Sequence, residues 1–598
     1  MELGPVKRTI IVKKRAKTGI DRFDEYIQTS GLEPKSYQRE GVEFCLRRES
    51  AASTTGITGG IIADEMGLGK TMMMMGLILA NLAAFKRTLI VVPVALVAQW
   101  VAQIKRTIID TGVKSDLVVF VFHGATAKRR VVLEQPSKQN GGGDDCPVWC
   151  HRPPKNTAVR AIDIVITTYG CVAMEEPAAP TVAATTKPKK AAAVPVLSLL
   201  TFRANRVIFD EAHHLRNKAS RVFKGAMRVV GVAGATHRPS VWCVTGTPIQ
   251  NKISDLKSLC YVLGFRMCDV MSEEKRKQIR NEYVLRRTKV SVGMVAAAAT
   301  DVDADADAGD VTCAPRLQSL EHYKSNVPWS SENELDLSRE IHRSARNTTD
   351  NAERLKLYTR MRQMCVWPSL LRRAAGGDAD TAAADDARHG LSLDEYQIAV
   401  SKQSKMDRVV ATMAAEAGAA AGVGRKSIVF CHYRREMTQL RDMLLRTVVG
   451  DSEVAIIDGT VSAKERARIL AAEPTVLILQ IRTCSEGLNL QSYSDVYFVS
   501  PHWNPCVEDQ AIARCYRLGQ TSQVRVFRFY MSDFVAERSG AADAGGAGVD
   551  AGGAGAAGVG GVTTTGGVES ECISTLDHKC EEIQERKRVL CNEFLCGV

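Results

Sequence analysis

Short apolar runs, each ended by a glycine, a proline or a charged residue, recur along the chain with helical patterns between them. Ile61–Ala63, Thr88–Val92, Leu117–Phe122, Ala161–Thr168, Arg206–Phe209 and Val241–Thr245 are rich in β-branched and apolar residues. Near-continuous apolar character of this kind marks strands buried on both faces. Met72–Phe85 and Ala95–Lys105 read as helices. The first is the longest apolar candidate, yet it falls short of the roughly 18 residues a membrane span needs. Strands alternating with helices predict a doubly wound parallel sheet, with its functional groups at the C-terminal strand ends.

A second block repeats the pattern. Lys426–Cys431, Val454–Ile457, Thr475–Gln480 and Val496–Val499 read as strands, Arg434–Leu445 as a helix, and Glu508–Gln520 as a closing helical segment. The expected fold class is therefore α/β, with two doubly wound parallel-sheet lobes. Between and within them lie stretches of low complexity. Residues 134–160 are rich in Gly, Pro and charge, and 172–196 in Ala, Pro and Lys; both read as insertions. Val295–Gly309 and Ala374–Ala387 are Ala/Asp tracts flanking a helical pattern over Leu355–Leu371. Beyond Arg528 the pattern fades, and Ser539–Gly567 has the composition of a flexible linker. The expected division is a basic arm (1–30), a first lobe (31–290), a linking region (291–394), a second lobe (395–535), a linker (536–570) and a short tail (571–598). The tail has a helical pattern and four cysteines, and no function attaches to it.

Composition changes this picture little. At 598 residues, roughly three to four domains are expected. The 17 cysteines form no C-x-x-C pair and sit largely in apolar segments, as reduced thiols do. Cys146, Cys150 and His151, and Cys572, His578 and Cys580, are the nearest approaches to a metal cluster, and neither has zinc spacing, so no zinc is expected. A net charge of +12 favours polyanionic partners, nucleic acid first. Lys7-Arg8 and Lys13-Lys14-Arg15 fit a nuclear address or a solvated basic arm equally. No membrane association is expected.

The chemistry concentrates after the first strand, in Ala63-Asp64-Glu65-Met66-Gly67-Leu68-Gly69-Lys70-Thr71. Gly67 and Gly69 let backbone N–H groups close on phosphate oxygens, Lys70 reaches the β and γ phosphates, and Thr71 offers its hydroxyl to magnesium. Asp64 stands where such loops usually begin with glycine. Gln38, upstream, can present donor and acceptor together to an adenine edge. Asp210-Glu211-Ala212-His213 follows an apolar strand; there Asp210 suits magnesium and Glu211 suits water activation. Arg514 and Arg517, three apart, are placed on one face of a helix. From a second lobe they would act as arginine fingers.

In this order the segments resemble the Swi/Snf-type ATPases of helicase superfamily two. The matches run through Tyr37-Gln38, DEMGLGKT (64–71), ITTY (166–169), DEAH (210–213), TGTPIQN (245–251) and VLRRTK (284–289). They continue with MRQMCVWPSLL (361–371), GLNLQ (487–491), HWNP (502–505) and QAIARCYRLGQT (510–521). The resemblance implies two RecA-like lobes with ATP and magnesium in the cleft between them and double-stranded DNA across both. It implies that Gln38 contacts adenine, that Lys70 and Thr71 hold phosphates and magnesium, and that Asp210 holds magnesium. Glu211 would act on the attacking water, Arg514 and Arg517 would complete the site, and Thr245, Gly246 and Thr247 would couple hydrolysis to lobe movement. Segments 166–169, 430–433 and 483–490 would touch the DNA backbone without reading sequence. Cys484 and Ser485 replace two usual glycines, and His502 a common tryptophan, departures that bear on DNA coupling. The interval between the lobes holds only Cys313 and Cys365, so the RING module of some relatives, and ubiquitin ligase activity, are not expected.

The compact plan resembles members encoded by large DNA viruses, among them the probable global transactivators of baculoviruses. The expected activity is ATP-dependent translocation on duplex DNA that remodels protein–DNA complexes in transcription or repair, in the nucleus. A strand-separating helicase and a DNA-binding scaffold with a dispensable ATPase remain open at this level.

Overall fold

The computed structural model describes residues 17–50, 56–114, 117–123, 162–174, 199–231, 238–295 (apart from 267, 269 and 271), 317–371, 391–419, 425–447, 453–482, 488–534 (apart from 518) and 574–595. The basic arm, both early insertions, the Ala/Asp tracts, the Gly/Ala linker and residues 483–487 lie outside these.

Two parallel sheets organise the chain, as the alternating pattern predicts. The first contains β1 (Gly59–Ile62), β2 (Thr88–Val92), β3 (Val119–Phe122), β4 (Ile164–Thr168), β5 (Arg206–Asp210), β6 (Ser240–Val244) and β7 (Val284–Leu285), in the order β3-β4-β2-β5-β6-β1-β7. The second contains β8 (Glu321–Val327), β9 (Ser427–Cys431), β10 (Val454–Ile457), β11 (Val476–Gln480), β12 (Asp495–Phe498) and β13 (Arg525–Met531), in the order β10-β11-β9-β12-β13-β8. β2, β4, β5 and β6 are buried at every residue because helices cover both faces of the sheet. The first sheet's order sets β1, β6 and β5 side by side. Register pairs Ile62 with Val244 and Val244 with Asp210, so the three loops that follow these strands converge at one end.

Four helices matter most in the first lobe: α1 (Gly19–Thr29), α2 (Ser36–Ser50), α3 (Lys70–Ala80) and α4 (Val97–Ile104). α3 is apolar all round, and Met73 through Ala80 are buried against α1, α2 and the sheet. At the opposite end from the converging loops, Arg206 forks onto Glu49 with two bonds of 2.6 Å, and Trp242 donates to the same carboxylate at 3.0 Å. Both charges are fully buried, so removing one partner alone would cost about 3–5 kcal/mol.

The second lobe draws on more of the chain than residues 395–535. β8, from within 291–394, pairs with β13 over seven residues, and α5 (Glu332–Asn347) and α6 (Asn351–Val366) enter the second core. α7 (Ser404–Ala419), α8 (Arg434–Thr447) and α9 (Pro505–Cys515) are among the further helices around the strands. The tail forms α10 (Leu576–Leu595). Lys405 pairs with the buried Asp577, which also accepts from Ser500 Oγ at 2.7 Å and Met531 N at 3.0 Å. Leu576 and Cys580 join the second lobe's core, whereas Leu590 and Cys591 pack against the first lobe's. Among the described residues no helix is long and apolar enough to cross a membrane.

Candidate active site

The loop after β1 turns on two glycines with positive φ, Gly67 at 92° and Gly69 at 78°. Gly69 is the N-cap of α3 and offers no side chain to its first turn, whose N–H groups face outward for an anion. A side chain at Gly69 would meet Gln38 Nε2 at 2.4 Å; Gln38 itself is buried and donates to Leu68 O at 3.3 Å. Lys70 begins α3, and its Nζ donates to Asp64 O (2.9 Å) and Glu65 O (3.2 Å) on the inner side of the turn. Thr71 sits beside it, half-buried. Burial lowers the Lys70 pKa, against which Glu211, Asp64 and Asp210 hold the charge.

Ala63, Asp64 and Leu68 are fully buried, and each has a structural tie. Asp64 pairs with Arg287, whose Nε donates to it at 3.1 Å. A carboxylate here thus fastens the loop to the segment after β7. Ala63 O and Gly246 O accept from Arg286, and Glu65 accepts from Lys289 N at 2.7 Å. Leu68 packs with Tyr37 and Met294. Met66 lines a cavity of about 490 Å³ between the lobes, with Gly246, Thr247 and Tyr516.

Asp210 closes β5 and Glu211 turns sharply, at φ 52° and ψ 50°. This left-handed conformation is rare for a residue with a side chain and stores strain. Ala212 is buried, and His213 Nδ1 lies 3.2 Å from Glu211 Oε2 and 3.4 Å from Thr245 Oγ1. Thr245 Oγ1 also accepts from Thr247 N at 3.1 Å, shaping the loop around Gly246. Burial, then the Glu211 charge, push the Asp210 pKa up to about 6. Burial would raise Glu211 as well, but His213, Lys70 and Arg514 draw it down to about 2. Hard oxygen donors such as the Asp210 carboxylate and the Thr71 hydroxyl suit magnesium, which keeps most of its waters and takes few protein ligands.

The second lobe contributes through the end of α9. Arg514 lies on its last turn, near enough to Glu211 to lower that carboxylate. Arg517 does not share a helical face with it. The helix ends at Cys515, where Tyr516 leaves helical geometry (φ −87°, ψ 77°), so Arg517 reaches the site from the following turn. A Cβ at Gly67 would lie 3.8 Å from Arg517 Cβ. Burial, then Arg514, lower the Arg517 pKa. The groups found separately in the sequence thus meet at one cleft.

The model of the SNF2-related domain matches residues 37–299, and that of the helicase conserved C-terminal domain matches residues 402–519. The chain belongs to the SNF2-related family. It is similar to the DNA repair protein RAD5 of Gibberella zeae, at 25% identity over 80% of this chain and 52% of that protein. It is also similar to the probable global transactivator of Orgyia pseudotsugata multicapsid polyhedrosis virus, at 25% identity over 83% of this chain and 86% of the viral protein. The SNF2-related chain thus spans about half the length of the RAD5 protein, the share being 52%. Among solved structures, the Sulfolobus solfataricus SWI2/SNF2 ATPase core in complex with dsDNA overlaps 84% of this chain and 88% of its own, with 18% identity and a TM-score of 0.32. The Pyrococcus furiosus Hef helicase domain overlaps 83% and 95%, with 14% identity and a TM-score of 0.47.

Several residues of this SNF2-related site carried no separate signal in the sequence. Arg286, Arg287 and Lys289 sit in the VLRRTK segment, where basic residues alone do not reveal that they grip the loop after β1. Trp100 reads only as a helix core position, yet its indole donates to Asp210.

Proposed function

We propose that the protein is an ATP hydrolase that moves along double-stranded DNA through its backbone and remodels protein–DNA complexes, acting in transcription or repair in the nucleus. The carrying observation is the cleft itself: Lys70, Asp210 and Glu211 of one lobe face Arg514 and Arg517 of the other. Gln38 borders the loop on the side suited to the adenine. The N–H groups about Gly67 and Gly69 and at the start of α3 cradle phosphate, and Lys70 neutralises it. Thr71 and Asp210 would hold magnesium, which supplies charge neutralisation on the phosphates. Glu211, kept ionised by its neighbours, takes the proton of the attacking water. Arg514 and Arg517 stabilise the charge that develops at transfer, a contribution of about 10³–10⁵ in rate for arginine fingers. Because they come from the second lobe, hydrolysis requires closure, and the Thr245–Gly246–Thr247 loop carries the change to His213 and the lobe interface.

The name of the repair relative supports work on DNA, and the net charge of +12 supports a polyanionic partner. ATP turnover measured without DNA, with single strands and with duplex tests the reading. Strong stimulation by duplex is expected, and none in Lys70→Ala. Turnover indifferent to duplex would overturn it; unwinding of a tailed duplex would favour a strand-separating enzyme, and full biological activity of Lys70→Ala a scaffold.

A further inference from the structure

Asp210 is held more tightly than a strand-end carboxylate needs to be. One oxygen, Oδ1, accepts from Glu211 N at 3.0 Å. The other, Oδ2, accepts from the indole Nε1 of Trp100 at 2.7 Å, across 110 residues of sequence. The residue's own carbonyl accepts from Tyr169 OH at 2.7 Å. A carboxylate offers about four acceptor sites; two are filled by the protein, and its plane is fixed by donors on both oxygens.

Trp100 is itself buried and closely packed. It is 1% exposed and packs in the cluster that contains Val92, Leu96, Ile104, Ile166 and Ile208. Its helix, α4, follows β2, and β2 runs beside β5 with Ile90 opposite Ile208 and Val91 opposite Phe209. The sheet register therefore delivers the first turns of α4 to the end of β5. A buried indole N–H requires an acceptor, and a backbone carbonyl would satisfy that need as well. Here it meets an ionisable carboxylate in a short, charge-assisted bond, the kind that fixes orientation most strongly.

We infer that Trp100 is a positioning residue whose indole N–H fixes the Asp210 carboxylate in the orientation that metal–nucleotide binding uses. The inference rests on the reading of Asp210 given above. Outer partners of metal-binding side chains set ligand orientation, and their loss typically weakens metal affinity by about 10- to 100-fold. Packing alone would demand an aromatic ring at this position, not an N–H.

The full chain carrying Trp100→Phe, bound to a non-hydrolysable ATP analogue, is titrated with Mn²⁺ and the bound metal is read by electron paramagnetic resonance. Nucleotide binding in EDTA and the melting temperature in EDTA are measured alongside. The expected result is Mn²⁺ affinity weakened by about 10- to 100-fold, with metal-free nucleotide affinity unchanged. Should the smaller ring unfold the lobe, a benzothienylalanine at position 100 keeps the bicyclic shape with sulfur in place of the N–H donor, and the same weakening is expected. Asp210→Asn separates the two levels. If Asp210→Asn weakens Mn²⁺ binding and the position-100 variants do not, the role of Trp100 is overturned. If Asp210→Asn leaves Mn²⁺ binding intact, the reading of Asp210 as a metal-holding residue falls, and this inference with it.

Discussion

At Glu211 the proposed chemical task coincides with a strained backbone. In the left-handed region, a residue with a Cβ costs about 1–2 kcal/mol relative to the ordinary helical conformation, a cost glycine does not bear. The strain places the carboxylate 3.2 Å from His213 and within reach of the Lys70 charge. Two substitutions separate task from strain. Glu211→Gln keeps the backbone and removes the proposed base, so turnover should fall by about 10²–10⁴ with stability near that of the wild type. Glu211→Gly should lose as much activity while melting at the same temperature or higher, because the strain is released. A Glu211→Gly protein less stable than Glu211→Gln would show that the conformation carries no stored cost. At this scale the sequence singled out Lys70, Asp210 and Glu211 by residue type, and the fold brings them together. The sequence was not legible where a side chain serves a partner far along the chain. The backbone strain at Glu211, the pairing of Asp64 with Arg287 and the bond from Trp100 to Asp210 all depend on three-dimensional neighbours.

Elements divide in the same way. β2, β4, β5, β6 and β9 announce themselves because parallel strands covered on both faces must be apolar throughout. β8, with the sequence EHYKSNV, is an edge strand held mainly by its backbone to β13, and three consecutive residues are exposed. Nothing in its hydropathy distinguishes it from a loop. α10 is anchored by single polar contacts to Lys405, Ser500, Met531 and His342, which no periodicity reveals. One of these anchors is sensitive to acid. His342 Nδ1 donates to Ser338 O at 2.7 Å, and its Nε2 accepts from Leu576 N at 3.0 Å, so the neutral ring bridges α5 to the start of α10. Burial holds its pKa at about 4, against the opposing charges of Asp577 and Asp533 and with the help of Lys579. The unfolded chain binds this proton near 6.5, so the stability it contributes is complete above that pH and is lost as pH falls toward 4. The whole contribution is at most about 3 kcal/mol. Amide exchange across 576–595 should therefore accelerate between pH 7 and pH 5, after correction for the intrinsic rate. His342→Gln, which can accept from Leu576 N without titrating, should flatten that dependence; an unchanged slope would assign the lability elsewhere.

At the scale of the whole molecule, Lys289 lies where the two lobes meet. It follows β7 in the first lobe, is 5% exposed, and places its Nζ 3.2 Å from Glu65 and 4.6 Å from the centre of the Tyr516 ring. Glu65 belongs to the phosphate loop and Tyr516 to the turn that carries Arg517, so one ammonium group joins the two halves of the cleft. Burial lowers the Lys289 pKa, and Glu65 and Asp509 oppose that shift and keep the cation in place. A desolvated cation–π contact contributes about 1–2 kcal/mol, which corresponds to a shift of about 5- to 30-fold in the balance of open and closed forms. Lys289→Met keeps the stem and removes the charge; Lys289→Arg keeps a cation that stacks on tyrosine. With fluorophores on the two lobes, duplex DNA and a non-hydrolysable analogue, Lys289→Met should populate the closed form less by about that factor, and Lys289→Arg should restore most of it. On the proposed mechanism turnover should follow closure, because Arg514 and Arg517 come from the second lobe. Equal closure in wild type and Lys289→Met would move the coupling away from this contact, toward α10, which also touches both cores.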